Sequence, residues 1–138
     1  MPDFHQNGVI ATLHNFNTKK IEQIEKDLLS FSKTSPMTLI LPSLYSELEK
    51  PALTYIVNTL KKVKYIKNVV IGLDQANKNE FLKAKKFFSV LPQKTYILWN
   101  DGPRLKKIDQ VLSNLDLSPT EKGKGRNIWY CTGFVISL

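Results

Sequence analysis

Asn68–Trp99, NVVIGLDQANKNEFLKAKKFFSVLPQKTYILW, is the stretch whose reading decides the fold. Its first six residues, Asn68 to Leu73, form an apolar run too short for a helix. A longer polar stretch follows, in which Phe81, Ala84, Phe87 or Phe88, and Leu91 recur at helical steps. Pro92 ends that pattern, and Thr95 to Trp99 is again short, β-branched and aromatic. Short apolar run, amphipathic helix, short apolar run is the pattern of a βαβ unit, whose two strands lie parallel.

The same alternation extends in both directions. Thr38 to Leu41 (TLIL) predicts an earlier buried strand that delivers its end to Pro42 and Ser43. A long helix is expected next, with Leu44, Leu48, Ala52, Tyr55, Ile56, Leu60 and Val63 on its apolar face. Pro51 either sits early enough to be tolerated or marks the true first turn. Before that strand, Ile21, Ile24, Leu28 and Phe31 predict a helix with one buried stripe, and Thr18 is placed to cap it. Gly8 to Leu13 reads as a short strand or an ordered arm. Beyond Trp99, Asn100 to Pro103 (NDGP) is a turn, and Leu105, Ile108, Val111, Leu112 and Leu115 predict another amphipathic helix. The last segment, Asn127 to Leu138, is nearly all apolar and must be buried against something. It ends without a capping glycine or a basic last turn, which predicts a truncated domain. The expectation is one α/β domain over residues 1–138, with a mainly parallel sheet of three to four strands flanked by helices.

Composition agrees with a folded core. The 138 residues are 42% hydrophobic and 23% charged, the balance of a globular chain. A net charge of +8 favours anionic partners: nucleotides, phosphorylated acceptors, acidic lipid or nucleic acid. Scattered helix-face lysines equally make a solvated basic surface. Cys131 is the single cysteine, which excludes an internal disulfide and a multi-cysteine zinc site, and its apolar neighbours predict a packed position. No basic segment followed by a long apolar run opens the chain, and nowhere do 18 apolar residues run together, so a cytoplasmic protein without a membrane span is expected.

Ligands of open α/β sheets bind beyond the carboxyl ends of the strands. Four polar clusters are predicted there: Pro42 to Glu47, Asp74 with Gln75, Asn100 to Arg104, and Glu121 to Asn127. Turn residues at strand ends account for each cluster taken alone. The Lys122-Gly123-Lys124-Gly125-Arg126 run stands out, because glycines admit a diphosphate to the backbone and lysine supplies a mobile charge. It is neither a Walker A loop nor GxGxxG, which removes the usual ATPase and dinucleotide readings. Glu47, Asp74 and Asp101 are suited to accept hydrogen bonds from a nucleoside. Ser43 and Asp74 are equally suited to cap the helices that follow. His5 and His14 are too few for a zinc site or a catalytic triad, although the arm Asp3 to Gly8 could pack near a ligand cleft.

Together LPSLYSELE (Leu41 to Glu49), IGLD (Ile71 to Asp74) and GKGRNIW (Gly123 to Trp129) resemble GT-A glycosyltransferases, in particular the glucosyl-3-phosphoglycerate synthase group. The resemblance implies a Rossmann-like GT-A half domain that holds the donor nucleotide. It implies nucleoside contacts from Pro42, Ser43, Leu44 and either Ser46 or Glu47, base contact from Asp74 or Gln75, and diphosphate contact from Lys124 in the Gly123 turn. It also implies a UDP- or GDP-hexose donor, a small acceptor such as a phosphoglycerate, and Mg²⁺ or Mn²⁺ held by a DxD motif expected beyond Leu138. No metal ligand is expected within the chain, and catalytic residues are left unassigned. Two other readings stay open: a non-enzymatic nucleotide-binding module, and a basic nucleic-acid-binding protein, which lacks a recognition motif. The apolar last segment leaves a homodimer open as well.

Overall fold

The computed structural model describes residues 19–117 and 121–138. The expected strand or arm at 8–13, the polar arm before it, both histidines and the Thr18 cap lie outside the described residues.

Three strands, β1 (Met37–Leu44), β2 (Ile66–Asp74) and β3 (Lys94–Trp99), form a parallel sheet in the order β1-β2-β3. β2 is central, and from Val69 to Asp74 every residue is buried, which is why its sequence is a continuous apolar run rather than an alternating one. α2 (Pro51–Leu60) and α3 (Lys78–Phe88) connect the strands and cover one face of the sheet. There Leu53, Val57 and Leu60 of α2, Ala84 and Phe88 of α3, and Val69, Ile71 and Leu73 of β2 make one core cluster. Burying each large aliphatic or aromatic side chain stabilises the fold by roughly 1.5–3 kcal/mol. α5 (Lys124–Ile136) lies across the other face, where Phe134 meets Tyr96 of β3 edge-to-face at 5.1 Å. The result is a Rossmann-like α/β sandwich, as the alternation predicts.

Several sequence expectations change in detail. β1 continues to Leu44, so Pro42 and Ser43 are strand residues and not the turn after it. Among the described strands β1 is an edge, where a proline's missing donor is tolerated. The long helix expected from Leu44 is two pieces: a 3-10 helix at Tyr45–Glu49, then α2 beginning with Pro51. Lys50 between them is extended (φ −100°, ψ 146°), so the helical phase restarts at Pro51. Leu53 and Val57 are therefore buried, whereas Tyr55 is 74% exposed. Of the expected stripe Leu60 is in the core and Leu48 packs against it, but one phase extrapolated across the proline put Tyr55 inward in place of Leu53 and Val57.

α1 (Ile21–Thr34) has no buried residue; Ile24 and Leu28 are half-buried, while Ile21 and Phe31 point outward. α4 (Pro103–Ser113) buries Leu105 alone, leaving Ile108 and Val111 of its expected stripe exposed, with Leu115 beyond it. Periodicity makes these helices amphipathic, but among the described residues their apolar faces are covered only in part. α5 is buried along Asn127, Tyr130 and Cys131, with Trp129 and Ile136 outward. No helix among the described residues is long and apolar enough to cross a membrane.

Candidate functional site

β2 and β3 end side by side, with Leu73 opposite Trp99, and the loops that leave them are bolted together. Both backbone groups of Ala76 are held from the β3 side. Its N–H donates to Asp101 Oδ2 at 3.2 Å, and its carbonyl accepts from the Trp99 indole Nε1 at 2.7 Å. Trp99 stacks on Phe81 of α3 at 4.9 Å, and Gly102 lies so close to the indole that a Cβ there would come within 2.6 Å of it. Asp74 is 3% exposed, its Oδ1 accepting from the Gln75 N–H. Gln75 itself takes a positive φ of 54°.

The third contributor arrives from the far end of the chain. Asn127, one turn into α5, is buried, and its amide donates to the Gly72 carbonyl at 2.8 Å. A Cβ on Gly72 would stand 1.7 Å from Asn127 Oδ1, so glycine alone lets the helix approach β2 this closely. That contact brings the start of α5 over the carboxyl end of the sheet. Gly123 precedes the helix with φ 154° and ψ −172°, a conformation essentially confined to glycine. No side chain caps the first turn, so its amide donors face outward with the positive end of the helix dipole.

The three cations of the glycine turn have different roles. Lys122 Nζ reaches Asp101 Oδ1 at 4.0 Å, tying the turn to the β3 loop. Arg126 turns inward: its guanidinium lies 3.9 Å from Asp109 and over the Tyr130 ring, and Tyr130 donates a hydrogen bond to Asp109. Lys124 is exposed in the first turn and makes no ion pair among the described residues. It is the cation of the turn free to meet a ligand.

Asp74, Gln75, Asp101, Gly123 and Lys124 thus share the carboxyl edge, joined through Ala76 and Lys122. Pro42, Ser43 and Leu44 reach the same edge, because they pair with Gly72, Leu73 and Asp74. Ser43 is buried and donates to the Leu44 carbonyl, and Asp74 serves its own loop, so neither caps a helix. Asn77 caps α3 instead, in a reciprocal capping box with Glu80. Ser46 and Glu47 sit on the 3-10 helix beside α2 and α3, with Glu47 paired to Lys50 at 2.6 Å. No hydrogen bond or ion pair among the described residues joins them to the α5 turn.

Asn100 and Asn127 belong to two of the polar clusters expected at the strand ends, but neither was given an individual contact. Asn100 follows β3, is 5% exposed, and neither side-chain polar atom has a partner among the described residues. An asparagine inside an otherwise apolar helix was the available signal for Asn127; Asn100 is indistinguishable from an ordinary turn residue. No group of three or more histidine, cysteine or acidic side chains among the described residues is placed to hold a metal ion. Two surface clefts lie elsewhere, along α2.

Over 137 residues the chain is 41% identical to the glucosyl-3-phosphoglycerate synthase of Persephonella marina, and over 133 residues 35% identical to the protein of that name from Methanococcoides burtonii. It is a relative of the glucosyl-3-phosphoglycerate synthases. These matches cover 99% and 95% of this chain but 34% and 32% of the two synthases, so the chain spans about a third of their length. No family model and no solved structure matches it.

Proposed function

We propose that residues 1–138 form the donor-binding unit of a cytoplasmic GT-A glycosyltransferase, one that moves a hexose from a nucleoside diphosphate sugar to a small acceptor such as a phosphoglycerate. The name shared by two relatives along nearly the whole chain supports the reaction class. The observation that carries the role of this part is the start of α5. A helix N-terminus without a side-chain cap, a glycine-only turn and a lysine unpaired among the described residues stand at the carboxyl edge, tied through Lys122 to Asp101. Amide donors and a lysine suit a diphosphate, while nearby carboxylates suit ribose hydroxyls and the N–H of a base.

In this reading Lys124 and the amides after Gly123 meet the diphosphate, and Asp74 or Gln75 meets the base. Pro42, Ser43 and Leu44 line the nucleoside from the β1 side, with Ser46 or Glu47 next to them. Asp101 acts through Lys122 and the Ala76 loop. Mg²⁺ or Mn²⁺ belongs to the complete enzyme; among the described residues no group of three or more histidine, cysteine or acidic side chains is placed to hold it.

Calorimetric titration of the protein with UDP and GDP, with and without Mn²⁺, tests the reading. One of the two nucleotides should bind, and Lys124→Ala should weaken it by about tenfold or more, the loss expected for a charge-assisted contact to phosphate. An affinity unchanged in that variant rules Lys124 out as a diphosphate ligand.

A further inference from the structure

Two stretches of the sequence carry lysines and no acid. Residues 51–73 hold Lys61, Lys62, Lys64 and Lys67, and residues 81–100 hold Lys83, Lys85, Lys86 and Lys94. The topology gathers them at one pole. In a parallel sheet the covering helices run back against the strands, so the ends of α2 and α3 and the starts of β2 and β3 share the amino edge, opposite the candidate site. Gln93 fastens this edge: its amide donates to the Leu60 and Val63 carbonyls at 2.7 and 2.8 Å, holding the start of β3 against the end of α2. None of the eight lysines forms an ion pair among the described residues.

Lys61, Lys83 and Lys86 line one groove of about 420 Å³ between α2 and α3, together with Val57, Phe87 and the half-exposed Val90. Among the described residues no acidic side chain lines it; α1 brings Glu25 to the adjoining cleft beside Lys62. Lys85 and Lys86 complement the carbonyl end of α3. Helix dipoles do not account for Lys67 and Lys94, which lie at the starts of strands.

The chemistry of the pole narrows its partner. All eight cations are lysines, compact hydrated charges suited to diffuse attraction, whereas forked recognition of single phosphates uses arginine. The apolar lining of the groove has a counterpart in the acyl boundary of a bilayer and none in a phosphodiester backbone. We propose that the amino edge of the sheet is a docking surface for an anionic phospholipid bilayer. The lysines lie at headgroup level, Val90 and Phe87 face the acyl boundary, and the carboxyl edge faces solution. This inference does not depend on the nature of the ligand at the carboxyl edge.

Co-sedimentation with lipid vesicles tests it. The protein should pellet with vesicles containing phosphatidylglycerol but not with phosphatidylcholine alone, and ~0.5 M salt should release it. Reversing the groove charges with Lys61→Glu, Lys83→Glu and Lys86→Glu together should weaken binding by at least about tenfold. The equally charged control Lys26→Glu, Lys106→Glu and Lys107→Glu, on exposed faces of α1 and α4, should keep most of it. Equal loss in both variants means that net charge alone is at work and overturns the proposal. So does failure of the unmodified protein to bind phosphatidylglycerol vesicles, or tighter binding to a generic RNA duplex than to those vesicles.

Discussion

Gly72 is where a single hydrogen atom decides the packing of a helix. Its missing Cβ admits Asn127 and Cys131 to the surface of β2, and a methyl there would meet the cysteine sulfur at 2.6 Å as well as the amide. Gly72→Ala is therefore expected to destabilise the fold by ~1–3 kcal/mol through overpacking, and by more if the Asn127 bond to the buried carbonyl is lost. Gly133→Ala, whose Cβ meets nothing within 4 Å inside the same helix, should be neutral or slightly stabilising. Cys131 reports on the difference. It is fully buried, and desolvation pushes its thiol up to about 11. Thiol labelling near pH 8 should be slow in the native protein and faster in Gly72→Ala; equal labelling rates would show that α5 has not moved. Because the folded thiol titrates above its unfolded counterpart, its stabilising contribution is complete below about pH 9 and fades as pH rises through 11. The sequence made the burial of Cys131 legible through its apolar neighbours. It did not reveal Gly72 as a contact point, because a glycine in a strand has several readings that only its neighbours across space separate.

At the scale of elements, α4 and α5 differ in how they are held. α5 lies on the sheet, but α4 buries only Leu105, and its clearest tie to α5 is the cluster of Asp109, Arg126 and Tyr130. Arg126 is 8% exposed at its side chain, so removing its carboxylate partner leaves a nearly buried cation without that charge. Asp109→Asn should lower stability by about 1–3 kcal/mol and speed hydrogen exchange in α4 more than in α2 or α3. Uniform acceleration across all helices would mean that the cluster holds the whole fold and not α4 in particular. The existence of α4 was readable from its 3.6-residue period, yet its exposure was not. Periodicity states which residues share a face, not whether another element covers that face. α2 teaches the complementary point: the sequence left Pro51 either tolerated early in one helix or marking the true first turn, and the extended Lys50 before it decides for the second, keeping Leu60 inward and turning Tyr55 outward.

Across the whole molecule, Asp74 and Asp101 stand at the carboxyl edge of the sheet and eight lysines without an ion pair among the described residues at the amino edge, so the two proposed surfaces point in opposite directions. If the chain is the donor-binding third of a transferase, the 138-residue polypeptide should bind a nucleotide and turn over little donor sugar. Hexose transfer by the purified chain at a rate near that of a full-length synthase would refute that division of labour. The parallel α/β architecture, the three strands and the clusters at their ends were all determined by the sequence, because run length, helical period and turn chemistry are local properties. Only the tertiary structure decided that Asp74, Asp101 and the Gly123 turn adjoin, that Glu47 pairs with Lys50, and that the buried Asn100 side chain has no hydrogen-bond partner among the described residues. The contacts of Asp101 with Lys122 and with the Ala76 loop join residues more than twenty positions apart, and the place of the Gly123 turn depends on how α5 seats on Gly72, which no local pattern encodes.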